Sequence, residues 1–309
     1  MYPDFVIPGA AKSGTTALYE YLAQHRGVFL PREKEPGFFS SDIPGGLATR
    51  DEYHALFAAA PPGALCGEAS TRYLYSRVAI ARLLAHNPAV KLIILLRNPV
   101  DAAQSLHSYA YRYGLEDSSD FEQAWREQPA KLAQRRALAG GGEILEYNYR
   151  LTYRYAEQVQ RVLQYVPPGQ RLFLLYEEFF TEPRRHYAQV LQFLGLPLQL
   201  PASFESVNAH LGVRSARLEH WLRHPPPLLR RIYGKIAPLL GSAGRNPLRR
   251  LRRANWRAGA RPPLRPAFRR ELEAYFAPDV REVERLLGRR LWPLADRAPA
   301  SPSSPAEGS

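Results

Sequence analysis

The feature that most constrains this chain lies at its start. The apolar run Asp4-Phe5-Val6-Ile7-Pro8 enters Gly9-Ala10-Ala11-Lys12-Ser13-Gly14-Thr15-Thr16, and helical spacing follows at once through Leu18, Tyr21 and Leu22. Strand, glycine loop and helix in that order form a structure that holds an anion on unpaired backbone N–H groups. Gly9 and Gly14 have the spacing of the phosphate-loop pattern G-x-x-x-x-G-K-[ST], and Thr16 occupies its Ser/Thr position. The lysine position is Thr15, however, and the nearby lysine, Lys12, sits inside the loop. The loop therefore asks for an anion other than the phosphates of Mg-ATP.

The rest of the chain repeats the strand–helix alternation. Leu65 to Ala69 reads as a second strand, and Ser76 to His86 as a helix with Ile80, Leu83 and Leu84 on one face. Lys91 to Arg97 (KLIILLR) is a continuous apolar run, the mark of a parallel strand covered on both faces. Asn98 then caps a helix that has Pro99 at its first position. A long helix is expected over Tyr149 to Tyr165, broken by Pro167-Pro168-Gly169. RLFLLYEEF from Arg171 reads as another buried strand, and Pro183 to Leu194 as a helix ended by Gly195. Helical signals return from Pro266 to Leu287. The pattern predicts an α/β fold with a central parallel sheet flanked by helices. Residues 1–297 read as one domain, and 298–309, small, polar and Pro/Ser-rich, as a disordered tail.

Composition narrows the function classes. No run of about 18 apolar residues is present, so no transmembrane segment is expected. The N-terminus shows no basic stretch followed by an apolar one, and Cys66 is the sole cysteine among 309 residues. Together these point to a cytoplasmic, reducing setting without a disulfide or a Cys-rich metal site. The eight histidines have no metal-ligand spacing. The net charge of +13 is uneven: residues 1–210 hold 21 Lys+Arg and 21 Asp+Glu, while residues 211–299 hold 21 and 7, a surplus of 14. Such a field attracts an anionic ligand, acceptor or surface. No zinc-finger, RNP or basic-zipper pattern accompanies it, which argues against nucleic acid.

Two anion sockets emerge. In the first, Ser13, Thr15 and Thr16 add hydroxyl donors to the helix N-terminus, and Lys12 adds a positive charge. In the second, Arg97 stands at the end of the LIILL strand, where an ATPase or kinase would carry an acidic residue for magnesium. Ser105 follows eight residues later, on the same side of its helix, and could grip a phosphate together with Arg97. Two sockets without a metal ligand suit a nucleotide charged at two separated places.

These residues resemble the sulfotransferases that use 3′-phosphoadenosine 5′-phosphosulfate (PAPS). Lys12-Ser13-Gly14-Thr15-Thr16-Ala17-Leu18 is similar to their 5′-phosphosulfate loop, and Arg97-Asn98-Pro99 with Ser105 to their 3′-phosphate motif. The similarity runs over residues 3–295 and is nearest the heparan sulfate type of carbohydrate sulfotransferase and its bacterial relatives. It implies a P-loop NTPase-like sulfotransferase fold, PAPS as donor, adenosine 3′,5′-bisphosphate as product, and no metal. By resemblance Lys12 stabilises the leaving phosphate as the S–O bond breaks, which accounts for its displaced position.

The resemblance also supplies a base. Lys34-Glu35-Pro36-Gly37-Phe38-Phe39 is similar to the segment that carries the family's catalytic glutamate, so Glu35 is the general base. Glu68, after the second strand, is the other candidate. Asn255 to Arg261 (NWRAGAR) lies where the family has a basic glycine loop over the nucleotide, which nominates Arg257 and Arg261. Three positions depart from the heparan type: Gly37 and Ser40 replace histidine and aspartate, and Ala69 replaces lysine. Those family residues engage a charged acceptor. The expected acceptor is thus a hydroxyl, or an amine, on a carbohydrate, a glycolipid or a natural product. Two other readings compete. A P-loop kinase would bind Mg-ATP tightly, and a non-enzymatic polyanion binder would act through residues 211–299.

Overall fold

The computed structural model describes residues 2–138, 148–204, 211–213, 218, 254–259 and 261–292. The expected tail at 298–309 and most of the basic C-terminal third lie outside the described residues. The core is a five-stranded parallel sheet. Its strands are β1 (Phe5–Gly9), β2 (Val28–Phe29), β3 (Leu65–Ala69), β4 (Lys91–Leu96) and β5 (Arg171–Leu175), in the order β2-β3-β1-β4-β5. From β1 the chain passes to the edge strand β2, returns to β3 beside β1, and then crosses to the other flank with β4. The crevice beyond the carboxyl ends of β1 and β4 is therefore the topological switch point, where open α/β sheets bind ligands.

The apolar runs sort by strand alternation. Phe5, Ile7, Ile93 and Leu95 pack on one face against helices α1 (Thr15–Leu22), α9 (Tyr176–Thr181) and α10 (Pro183–Leu194). Val6, Leu92, Ile94 and Leu96 pack on the other. There they join α4 (Ala79–His86), α5 (Pro99–Tyr113), α8 (Tyr155–Tyr165) and α11 (Pro266–Leu287). With both faces covered, alternation along β4 carries no polar residues, which is why the sequence shows an unbroken run. Asn98 caps α5, its side chain accepting from the Val100 N–H, with Pro99 at the first turn. Gly195 closes α10 in the left-handed conformation.

Several boundaries differ from expectation. The helix expected over 149–165 is two: α7 (Tyr149–Thr152), capped by Asn148, and α8, which restarts at Tyr155. The restart is held from a distance, because the Asp279 carboxylate on α11 accepts from the Ala156 N–H at 3.2 Å. The segment before α4 starts with the short α3 (Arg72–Tyr75), and α4 itself begins at Ala79. The run from Arg171 leaves the sheet at Leu175 and turns helical at Tyr176. Helices α2 (Arg50–Ala55) and α6 (Phe121–Leu138) and the two-residue β2 had no sequence signal that was read. A two-stranded antiparallel piece pairs β6 (Leu211–Val213) with β7 (Trp256–Ala258). Among the described residues, no helix is long and apolar enough to cross a membrane.

Candidate active site

The glycine loop joins β1 to α1 at the switch point. Gly14 caps α1 in the left-handed region, at φ 85°, and offers no side chain to its first turn. The first N–H groups of a helix have no intrahelical partner, so this turn presents donors and the positive end of the dipole outward. Gly14 is also needed sterically: a Cβ there would stand 2.5 Å from the Phe180 ring. The loop is held from below. Its Ala10 N–H donates to the Leu95 carbonyl at 2.7 Å, and the Tyr153 hydroxyl donates to the Ala11 carbonyl at 3.2 Å. Tyr155 Oη is buried beside Ser13 and the backbone of Arg97, and closes no well-formed hydrogen bond among the described residues. Ser13 is fully buried and its hydroxyl turns back toward the Ala11 carbonyl, so it shapes the loop from within.

Lys12 sits on the loop with a left-handed backbone, φ 62°. Burial pushes its ammonium down to about 8, and Arg112, Arg261, Lys34 and Arg97 add to the effect. A shift of that size weighs on the order of 3 kcal/mol against the charged form. Four further cations thus gather around the Lys12 ammonium. Arg97 Nη1 donates to the Lys12 carbonyl at 3.0 Å, and its guanidinium stacks on Tyr176 at 4.0 Å. Arg261 approaches from the segment before α11, with Nη1 3.5 Å from the Asp101 carbonyl, and burial lowers its pKa to about 10. The Nε atoms of Arg97 and Arg261 are buried without a partner among the described residues. Buried unpaired donors are costly, and an anion placed between these two would satisfy both.

Ser105 is buried on α5, one turn after Asp101 and one turn before Tyr109. Asp101 meets Arg261, and Lys12 Nζ stands 4.7 Å from the Tyr109 ring. Ser105 thus lies on α5 between Asp101, whose carbonyl meets Arg261, and Tyr109, whose ring meets Lys12. Arg257 lies on β7, with its side chain outside the described residues.

The two glutamates are in different environments. Glu35 stands at the rim, 38% exposed, with a left-handed backbone at φ 67°. Its carboxylate accepts from the Thr71 N–H at 3.1 Å and the Thr71 hydroxyl at 2.8 Å. Glu68 is sealed. It accepts from the Tyr53 hydroxyl at 3.0 Å and the Ser70 hydroxyl at 2.8 Å, and burial pushes its pKa up to about 7. Ser70 in turn accepts from the Gly37 N–H at 3.0 Å. Glu68 thus braces the turn that carries Glu35, and of the two Glu35 is the carboxylate open to solvent.

Sequence reasoning missed Lys34, Thr71 and Arg112. Lys34 donates to the Thr16 hydroxyl at 2.9 Å and the Thr15 hydroxyl at 3.3 Å, and lies 3.6 Å from the Glu35 carboxylate. Read along the chain, it is a charge beside a charge. Its role depends on residues 31–36 folding back onto α1, which no local pattern encodes. Arg112 is two turns past Ser105 in the same helix and stacks near Tyr109, Tyr113 and Trp256. Helical spacing from Ser105 was the available signal.

The α/β fold gathers cationic side chains around a glycine loop at its topological switch point, the place where open sheets of this class bind ligands. The family model described as Sulfotransferase domain matches residues 2–220, and the chain belongs to that family. It is 31% identical over 199 residues to heparan sulfate glucosamine 3-O-sulfotransferase 6 of Homo sapiens, covering 63% of this chain and 53% of that protein. It is 29% identical over 201 residues to heparan sulfate glucosamine 3-O-sulfotransferase 3B1 of Mus musculus, covering 63% and 46%. The chain thus spans about half the length of the curated relatives it matches. Among solved structures, a sulfotransferase from Alicyclobacillus acidocaldarius superposes with a TM-score of 0.67 at 26% identity, covering 94% of this chain and 98% of that one.

Proposed function

We propose that this chain is the catalytic core of a PAPS-dependent sulfotransferase, with residues 1–297 as one domain and a hydroxyl as acceptor. One observation carries the reading: Arg97 bonds to the Lys12 carbonyl, which links the two proposed anion sockets, and among the described residues the Nε atoms of Arg97 and Arg261 beside them have no partner. Bound PAPS supplies the sulfuryl group and an adenosine 3′,5′-bisphosphate leaving group. Arg97, Arg261 and Ser105 fit the 3′-phosphate. The first turn of α1, with Thr15 and Thr16, fits the 5′ end. Arg257 belongs to the same basic segment as Arg261 and is assigned to the nucleotide with it.

The chain's own groups then divide the work. Lys12 places its ammonium where negative charge grows as the S–O bond breaks. Glu35 Oε takes the acceptor's proton, and Thr71 fixes that carboxylate while it does so. Arg97 holds the site where a magnesium ligand would otherwise stand, so charge is balanced by side chains. The names of the curated relatives support a carbohydrate acceptor. Gly37, Ser40 and Ala69 stand where the heparan type carries charged residues, which suits a less charged acceptor, such as a glycolipid or natural product. The lone, buried Cys66 fits a reducing compartment such as the cytoplasm.

The test is turnover of labelled PAPS against a panel of sugar, glycolipid and phenolic hydroxyls. Transfer that is abolished by Lys12→Met and by Glu35→Gln supports the reading. Phosphoryl transfer from Mg-ATP to the same panel would replace it with the kinase.

A further inference from the structure

The Lys34 ammonium occupies a place between two functions. It donates to the Thr15 and Thr16 hydroxyls at the mouth of the anion cradle, and stands 3.6 Å from Glu35 Oε1. Its side chain is only 19% exposed, so little water shares the charge. Glu35 has a second support on its other side, the Thr71 N–H and hydroxyl. The charged groups facing Glu35 are Lys34 from its own segment and the sealed Glu68 from β3, while Lys12 faces Lys34 from the loop. A phosphate oxygen is a stronger acceptor for an ammonium than a threonine hydroxyl, because the bond is charge-assisted at both ends.

We infer that Lys34 is a shared cation that makes the base available only when the nucleotide cradle is filled. With the cradle empty, Lys34 neutralises Glu35. With an anion at the α1 N-terminus, Lys34 turns its protons to that anion, and Thr71 alone keeps the carboxylate in place for the acceptor. The Lys34 ammonium then contacts the donor and leaves the Glu35 carboxylate to Thr71. The inference rests on the reading of Glu35 as base and of the cradle as a nucleotide site. It predicts thermodynamic competition: whatever removes the Glu35 charge leaves Lys34 freer for the nucleotide, and reciprocity is required by linkage.

The experiment is calorimetric affinity for adenosine 3′,5′-bisphosphate in the wild type, Glu35→Gln, Lys34→Met and the double variant. Expected are a roughly three- to tenfold tighter affinity in Glu35→Gln and an affinity weaker by about tenfold in Lys34→Met, the scale of one charged hydrogen bond. The double variant should match Lys34→Met alone. Both substitutions are close to isosteric, and melting curves check that each variant is folded. An affinity unchanged in Glu35→Gln, or a tightening that persists without Lys34, overturns the inference. Turnover retained by Glu35→Gln overturns the base assignment and with it the functional half of the proposal. No binding by the wild type overturns the nucleotide reading.

Discussion

Arg97 donates from Nη1 to the carbonyl oxygen of Lys12 at 3.0 Å, so the strand-end arginine and the loop lysine form one rigid unit. Loss of Arg97 should therefore damage both sockets. A ligand that binds only the folded state raises its melting temperature by mass action. Adenosine 3′,5′-bisphosphate should raise it in the presence of EDTA, and Arg97→Ala should remove most of that rise. Equal stabilisation by Mg-ATP would contradict the reading.

The depressed Lys12 ammonium gives a pH signature. Its pKa near 8 means that it is charged below that pH and neutral above. Anion binding favours the charged form, so affinity for the bisphosphate should fall as pH rises from about 8 to 9.5, by at most about tenfold per unit. In Lys12→Arg the guanidinium stays charged, so the affinity should fall less steeply over that range, with burial-lowered Lys34 as the remaining titrating ammonium. Calorimetry in steps of half a pH unit checks both curves.

The two carboxylates should separate cleanly in kinetics. Glu35→Gln should lower turnover by about 10²- to 10⁴-fold, the usual contribution of a general base. Glu68→Gln keeps the acceptor oxygen for Tyr53 or Ser70 and should lower turnover far less. If the ranking is reversed in single-turnover measurements, Glu68 is the base.

Glu68 also predicts a stability profile. Burial raises its folded pKa to about 7, above the value of about 4.3 in an unfolded chain. The folded state then holds an extra proton between those values, so stability is greatest below the lower one and falls as pH rises through the upper. Asp279, raised to about 6 by burial, slopes the same way. Glu68→Gln should flatten the melting temperature between pH 5 and 8 and cost nothing at pH 8. A variant as pH-sensitive as the wild type would show that the carboxylate is already satisfied as an anion.

Gly14→Ala should disable the cradle without touching a polar group. The new methyl would need a left-handed backbone and would stand 2.5 Å from the Phe180 ring, so α1 or α9 must shift. Expected is a lowered melting temperature together with loss of bisphosphate stabilisation. A normal nucleotide shift in this variant would show that the loop tolerates the displacement.

Much of this was legible in the chain because its signals are local. Strand β4 and its Asn98-Pro99 cap read directly, as did the glycine loop and the Gly195 stop. The sheet order did not, since nothing in a buried apolar run specifies its neighbours. The Tyr153 break was hidden because it depends on Asp279, 123 residues after Ala156. The site divided the same way. Lys12 and Arg97 stood out by type and place, whereas Lys34 and Thr71 act through contacts formed only when the segment before α2 closes over α1 and α3. Arg257 and Arg261 were nominated together by one motif, and the described side chain, Arg261, is buried within electrostatic reach of Arg97 and Lys12.

The strand order bears on how such chains diversify. The nucleotide cradle is built on the two central strands, while the segment from Glu35 through the Gly37–Leu47 turn belongs to the outer flank between β2 and α2. That flank is tied to the centre: the Glu35 N–H donates to the Ala69 carbonyl at 3.0 Å, and Lys34 beside it reaches the Thr16 hydroxyl at 2.9 Å. A rewritten rim would therefore move the glycine loop's neighbours as well, so changes in the outer segment are constrained by the centre they lean on.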